Sequence, residues 1–344
     1  MTKTVDAYAV ILAGGSGTRF WPASTPDRPK QLLPLAGDRP LIVETLDRAS
    51  ALVGREHISL VAGADLTRQI RHEVPWLTDD QCLIEPQARG TGPALAWAAT
   101  LLATTDPDAV MIAMHADHRI EPLADFLDTV REAVEYARRE NRLVCIGAEP
   151  DRPETGYGYL KLGARQRTAV FEVEQFVEKP DGGAAVRYLE SGRYLWNTGI
   201  FVWRVSDFLA EIERSTPEIN GALSCLQDGD AAAFFAQVEP VSVDVGVMER
   251  ADRVGVVKAR FQWDDVGVWN SLSRTRPADS AGNVHVGRAR FVDAGDNVVW
   301  TESRRATLFG VDDLIVVESG DELLVTTRDR VAHLKTLLER LRDR

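Results

Sequence analysis

Cysteine is scarce in this chain: Cys82, Cys145 and Cys225 are the whole supply in 344 residues. An odd number with no C-x-x-C spacing excludes a disulfide framework and a thiolate metal knuckle, and each lies in or beside an apolar stretch, as a reduced core thiol does. Long apolar runs are missing too. None approaches the length that spans a bilayer, and the start, MTKTVDAYAVILAGG, has no extended apolar region or small-residue cleavage site. The expectation is a soluble, cytoplasmic protein with no membrane partner. Positive charge is also in deficit: 40 Lys and Arg against 52 Asp and Glu leave a formal charge of −12. That balance speaks against nucleic acid and anionic membrane as partners, so any polyanion has to be bound locally.

Two familiar glycine loops are absent where one would look for them. Residues 8 to 13 form a short apolar run that stops at Gly14, Gly15 and Gly17, the pattern of a buried parallel strand ending in a turn. A dinucleotide fingerprint would need a third glycine where Phe20 stands, and a Walker loop would need Gly-Lys-Ser/Thr where Arg19 stands. What is there is a loop without side chains at the strand end, followed by Arg19, Arg28 and Lys30. Backbone N–H groups beside cations, in an acidic chain, point to a phosphate site.

From this loop to about residue 147, apolar runs alternate with helical patterns. Strands are expected at 58–62, 81–85, 109–114 and 143–147, and helices at 41–52, 66–73, 93–103 and 123–139, with Thr91 as N-cap of the third. This order gives an α/β fold with a doubly wound, mostly parallel sheet, whose ligand-binding loops follow residues 13, 85 and 114 on one rim. After residue 150 the rhythm breaks. A Pro, Ser and Gly-containing junction near 276–282 separates an expected catalytic domain, 1–275, from a small β-rich domain, 276–344. Val331, Leu334, Leu337, Leu338 and Leu341 make an apolar stripe on a terminal helix, suited to the catalytic domain or to a second subunit, so a homodimer is one expectation.

The stretch LAGGSGTRFWP followed by Pro29-Lys30 resembles the signature of the nucleoside-diphosphate-sugar pyrophosphorylases, close to L-A-G-G-x-G-T-R-L-x-P and then P-K. Further matches follow in order. EPQARGTGPA, from Glu85, is similar to the base-recognition segment E-P-x-x-R-N-T-A-P-A of the mannose-1-phosphate guanylyltransferases, with Gly90 and Gly92 replacing Asn and Ala. HADH resembles P-A-D-H, with His115 for Pro. RPETGYGYL (152–160), FVEKP (176–180), WNTGIFVW (196–203), SVDVGVMER (242–250) and WDDVGVWNSL (263–272) also resemble segments of that group, and GVDDLIVVESGDELLVTTRDR (310–330) resembles its small C-terminal β-helical domain. Thr25 departs from the usual Arg.

The resemblance implies a Rossmann-like nucleotidyltransferase fold and a reaction between GTP and mannose 1-phosphate giving GDP-mannose and pyrophosphate. It implies nucleotide contacts from Leu12, Ala13, Gly14, Gly15, Ser16, Gly17, Thr18, Arg19 and Lys30, with Glu85, Arg89 and Thr91 at the base. Arg19 would hold the leaving pyrophosphate, Lys30 the α-phosphate region and Lys179 the sugar phosphate, with Arg28 supplying the phosphate charge that Thr25 does not carry. The sugar itself would meet Gly156, Tyr157, Glu178, Asn197 and Thr198, although Asn-Thr-Gly and Lys-Pro are also ordinary turn chemistry. Mg²⁺ would be held by Asp117 and Asp265, hard oxygen donors, the second chosen over Asp264 by alignment on the glycine. Asp117 as a turn cap and the aspartate pair as a solvated loop are the plain alternatives. The same chemistry on a heptose 1-phosphate with GTP or on glucose 1-phosphate with another nucleotide, a non-catalytic nucleotide-sensing relative and a β-helix acyltransferase are the rival functions. The short, irregular tail disfavours the last.

Overall fold

Strand β1, Tyr8–Leu12, is buried from its second residue onward, as a strand covered on both faces must be. The computed structural model describes residues 4–15 and 17–342; Ser16, expected in the nucleotide loop, lies outside the described residues. β2 (Ile58–Ala62) and β3 (Cys82–Ile84) lie on one side of β1 and β4 (Val110–His115) on the other, all parallel. Because parallel strands end on the same edge, the N–H groups of Ala13, Glu85 and Ala116 reach the carbonyls of Val61, Ala62 and Leu12 at 2.9, 2.9 and 3.0 Å. The three strand ends stand in one row.

Helices Leu41–Val53, Ala64–Glu73, Thr91–Thr105 and Leu123–Glu140 alternate with these strands, within a residue or two of the periodic pattern. The third does not start as expected. Gly90, at φ 91°, is its N-cap, and Thr91 is its first residue. The Thr91 hydroxyl accepts the Val243 N–H at 2.9 Å instead of capping its own helix, a contact from 152 positions away that local sequence cannot show.

Beyond the short β5 (Arg119–Glu121), the large sheet continues with β6 (Leu143–Ala148), β7 (Tyr159–Arg165), β8 (Val170–Val177), β9 (Tyr194–Arg204) and β10 (Val254–Lys258), in the order β3-β2-β1-β4-β9-β6-β10-β8-β7. β9 runs antiparallel between β4 and β6, and β8 and β7 pair antiparallel at the edge. The sheet is therefore mixed, with its parallel half at β3 to β4. Helices between 205 and 237 cover it, and Trp203 stacks on Phe208 with ring centres 4.2 Å apart.

Two units, each compact, are interleaved in sequence: one comprises residues up to Gly14, Leu46–Ala116 and Ile120–Trp263; the other comprises Gly15–Thr45, Asp117–Arg119 and the chain from Asp264 on. Each is a body with its own core. The second contains, after the short β11 (Gln262–Asp264), the strands β12 (Val284–Val292), β13 (Val298–Phe309), β14 (Leu314–Ser319) and β15 (Glu322–Thr327). Val284 pairs in parallel with Val298, and Val298 with Ile315, so successive coils advance 298 − 284 = 14 and 315 − 298 = 17 residues. No helix fits in such a short return, so the strands climb as a solenoid. Asn283 and Asn297, both buried, bind consecutive coils: Asn297 Nδ2 donates to Asn283 Oδ1 at 2.9 Å and to Val311 O at 3.0 Å, while the Leu314 N–H donates to Asn297 Oδ1 at 2.9 Å. Buried amides satisfied in this way fix the coil register.

The core of this unit joins Phe20, Leu33, Leu35 and Leu41 to Trp269, Trp300, Ile315, Val331 and Leu334. Two members of the terminal apolar stripe, Val331 and Leu334, are thus spent inside this unit. Among the described residues no helix is long and apolar enough to cross a membrane, and Cys82, Cys145 and Cys225 are unbridged.

Glu318 is the most strongly shifted carboxyl of the solenoid. The N–H groups of Glu302, Ser303 and Arg304 donate to its Oε2 at 2.9, 3.1 and 3.2 Å, and the Ser303 hydroxyl donates to Oε1 at 2.6 Å. These bonds, the Ser303 hydroxyl foremost, hold its pKa down to about 2 from 4.5. A depressed carboxyl contributes stability above its unfolded value and loses it as pH falls through the folded one. Glu318→Gln is therefore expected to lower Tm by a few degrees at pH 7, with the gap to wild type closing between pH 4.5 and about 2. Thermal melts of both proteins across that range check it; a gap that widens on acidification refutes the assignment.

Candidate active site

In the second unit the glycine loop closes onto Lys30. A Cβ on Gly17, which sits at φ 58°, would lie 2.5 Å from Ser24 Oγ and 2.9 Å from Lys30 Cβ, so only glycine permits this turn. Gly14 and Gly15 face open space, with nothing within 4 Å of a Cβ built on either. Thr18–Phe20 forms a short 3₁₀ turn that buries Phe20 against Trp269, ring centres 5.1 Å apart, and leaves Arg19 exposed. Leu12 ends β1 in the first unit and Ala13 follows it.

Lys30 is buried and its ammonium lies 5.6 Å from the Phe20 ring centre. It donates to Asp117 Oδ2 at 2.6 Å and to the backbone carbonyl of Asp265 at 3.2 Å. Three stretches distant in sequence, around 17–30, 117 and 265, therefore meet at one ammonium. Asp264 and Asp265 face different tasks. The Asp264 carboxylate is buried, accepts Arg274 Nε at 2.6 Å and accepts the Val266 N–H at 2.8 Å. Asp265 Oδ1 accepts the Gly267 N–H at 3.1 Å, and a Cβ on Gly267 would stand 2.5 Å from Asp265 Oδ2. Directly after them Val266 is held at φ 45°, a conformation that costs a β-branched residue energy. Arg28 exchanges backbone hydrogen bonds with Thr25 and pairs through its guanidinium with Glu302.

Among the described residues no group of three or more His, Cys, Asp or Glu is placed to hold a metal. At Lys30, Asp117 presents its carboxylate and Asp265 its backbone carbonyl, both oxygen donors, and an ion that takes one or two protein carboxylates and completes its shell with phosphate and water suits such a set. The donor set fits Mg²⁺ better than a metal that prefers nitrogen or sulfur.

The first unit holds the other expected residues. Glu85 is half-buried, and burial pushes its carboxyl up. The Arg89 N–H lies 3.5 Å from Glu85 Oε1, and Arg89 Nε donates to Phe235 O at 2.9 Å. The two glycines that depart from the family pattern have a local cause. A Cβ on Gly90 would lie 2.6 Å from Val241 O, and one on Gly92 would lie 3.0 Å from it. The 241 backbone occupies the space that side chains would need.

Gly156 and Tyr157 belong to a loop pinned at Gly158, where a Cβ would lie 2.7 Å from Glu178 Oε2. The Gly156 N–H donates to Glu154 Oε1 at 3.1 Å, and Lys179, at φ 47°, donates its N–H to Tyr157 O at 3.2 Å. The ammonium of Lys179 pairs with Glu178, which is mostly buried. Asn197 Nδ2 donates to Asp244 Oδ1 at 2.8 Å, and the Glu178 N–H donates to Glu249 Oε1 at 2.8 Å. The Thr198 hydroxyl is engaged inside the sheet, donating to Ile146 O at 2.7 Å and accepting the Ile200 N–H at 3.3 Å. Asp244 and Glu249 are given no role by the sequence, although the segment carrying them, SVDVGVMER, was the signal.

The chain matches known proteins along nearly its whole length. Residues 8–281 match the family described as Nucleotidyl transferase, and residues 287–341 match the MannoseP isomerase/GMP-like beta-helix domain. The chain is 37% identical to mannose-1-phosphate guanylyltransferase ManC of Salmonella typhimurium, over 99% of this chain and 74% of that protein. It is 36% identical to mannose-1-phosphate guanylyltransferase of Escherichia coli K12, over 97% and 73%. A crystal structure described as mannose-1-phosphate geranyltransferase from Thermus thermophilus superposes with a TM-score of 0.91 at 34% identity, over 98% of this chain and all of that one.

Proposed function

We propose a reaction from this premise: the chain belongs to the nucleotidyl transferase family. It transfers a guanylyl group, making GDP-mannose and pyrophosphate from GTP and α-D-mannose 1-phosphate, with the sugar-phosphate oxygen attacking the α-phosphorus in line and no covalent enzyme intermediate. The observation that carries this reading is the buried Lys30 ammonium between Asp117 and the Asp265 carbonyl, behind a loop that only Gly17 can close. Phosphoryl and nucleotidyl transfers depend on alignment and charge neutralisation more than on acid or base, and this set supplies both.

In this reading the N–H groups from Gly14 to Thr18 cradle the triphosphate, exposed Arg19 holds the leaving pyrophosphate, and Lys30 holds the α-phosphate region. Glu85, Arg89 and Thr91 serve the base. Lys179 binds the sugar phosphate; Gly156, Tyr157, Glu178 and Asn197 border the sugar; and Thr198 holds the strand beneath. This chemistry uses a divalent cation, which we assign as Mg²⁺ to Asp117 and Asp265; bound there it would neutralise charge on the phosphates. A cytoplasmic location, a homodimer and the absence of nucleic-acid or membrane partners complete the reading.

Pyrophosphate release tests it. Across GTP, ATP, UTP and dTTP paired with mannose, glucose and heptose 1-phosphates, GTP with mannose 1-phosphate is expected to give the highest kcat/KM, by roughly tenfold or more over other pairs. A higher value with another nucleotide or sugar overturns the substrate assignment and keeps the reaction class; no release with any pair overturns both.

A further inference from the structure

The segment 241–249 is a strap tied at both ends. At one end the Val241 N–H donates to Arg89 O at 3.0 Å, the Gly92 N–H donates to Val241 O at 3.1 Å, and the Val243 N–H donates to Thr91 Oγ1 at 2.9 Å. At the other end Glu249 accepts the N–H of Glu178. In the middle the Thr216 hydroxyl donates to Gly246 O at 2.7 Å. The strap passes through a π-helical turn, Asp244–Met248, a rare geometry found most often at functional sites.

Asp244 opens that turn, and its carboxylate faces the sugar-side residues. The Gly199 N–H donates to Asn197 Oδ1 at 3.1 Å, so the Asn197 amide is oriented with Nδ2 toward Asp244 Oδ1, 2.8 Å away. An ionised carboxylate has about four acceptor positions. Asn197 fills one. Burial pushes both the Asp244 and Glu178 carboxyls up, and Asp244 raises Glu178 further, with Lys179 the cation that offsets them. Two crowded carboxylates with acceptor capacity left are satisfied by hydroxyl donors, and a hexose carries several.

We propose that Asp244 is a specificity-determining residue of the sugar site, its carboxylate fixed by Asn197 and accepting a hydroxyl hydrogen of the bound sugar 1-phosphate. This rests on the reading of the chain as a sugar-phosphate nucleotidyltransferase. A site built to bond a hydroxyl discriminates by leaving its own polar group unpaired when the wrong sugar binds.

The test compares wild type, Asp244→Asn and Ser242→Ala, with mannose 1-phosphate and glucose 1-phosphate against GTP. Asp244→Asn keeps the shape and is expected to raise KM for mannose 1-phosphate roughly tenfold, to keep KM for GTP within about twofold, and to change the mannose-to-glucose ratio of kcat/KM about tenfold. Ser242→Ala, on the same strap, removes only the hydroxyl that accepts the Val245 N–H at 3.3 Å and should leave these kinetic values near wild type with at most a small drop in Tm. If wild type is active and Asp244→Asn alters neither the sugar KM nor the ratio, the assignment to Asp244 falls alone. A Tm drop with equal loss toward both substrates also overturns it, since that marks a residue that only holds the strap. If wild type turns over no sugar 1-phosphate, the function itself is wrong and Asp244 goes with it.

Discussion

Asp265→Asn is expected to lower kcat by roughly 10²-fold or more while leaving the fold intact. The substitution keeps shape and removes the charge that a hard cation and the phosphates need. Its neighbour supplies the contrast. Asp264 is buried and bonded to Arg274 at 2.6 Å and to the Val266 N–H at 2.8 Å, so its carboxylate serves the turn. Asp264→Asn should therefore cost stability, on the order of 2 kcal/mol for a charged hydrogen bond weakened in a buried place, and change turnover much less. Asp117→Asn should resemble Asp265→Asn in kcat, and it also removes the negative charge that faces Lys30 at 2.6 Å. Mg²⁺-dependent turnover of the three variants, with thermal melts beside it, separates these effects. Near-normal turnover in Asp265→Asn, or a crippled Asp264→Asn with an unchanged melt, would sink the metal assignment.

Lys179→Ala is expected to reduce kcat/KM for the sugar phosphate by about 10²-fold, with the rise in KM falling on that substrate far more than on GTP. Its side chain is 62% exposed, so the fold loses little packing when it is cut back. What the fold does supply is position: the residue is held at φ 47°, its N–H is fixed on Tyr157 O, and its ammonium rests on Glu178. A non-glycine residue kept in that conformation marks a place where the backbone has been aimed. Initial rates with each substrate varied in turn measure the split; equal loss toward both would refute the assignment of Lys179 to the sugar phosphate.

The parallel half of the large sheet was legible in the sequence because its signals are local. Ile58–Ala62 starts and stops where the branched apolar run does, and Leu123–Glu140 ends at Asn141, which takes the left-handed cap at φ 51°. The glycine loop, Lys30, Asp117 and Asp265 were legible as motif, yet only the fold brings Lys30 to Asp117 and to the Asp265 carbonyl. What stayed hidden depends on long-range partners. β9 is an apolar run that reads alike in either direction, and its antiparallel place between β4 and β6 is set by neighbours. Thr91 reads as a cap until Val243 claims its hydroxyl. Gly90 and Gly92 read as losses from a base loop until Val241 is seen to fill the space beside them.

Phe20, Leu33 and Leu35, which flank the glycine loop and Lys30, have their hydrophobic partners in Trp269, Trp300, Ile315 and Leu334. Arg276 fastens the same stretch by donating to the carbonyls of Pro34, Leu35 and Gly37. The solenoid is thus the foundation of the loop to which we assign the nucleotide phosphates. Exchanging this tail for one from a relative would remake the packing beneath Lys30, and a drift in nucleotide affinity could begin at a Trp300 or Leu334 that no substrate touches.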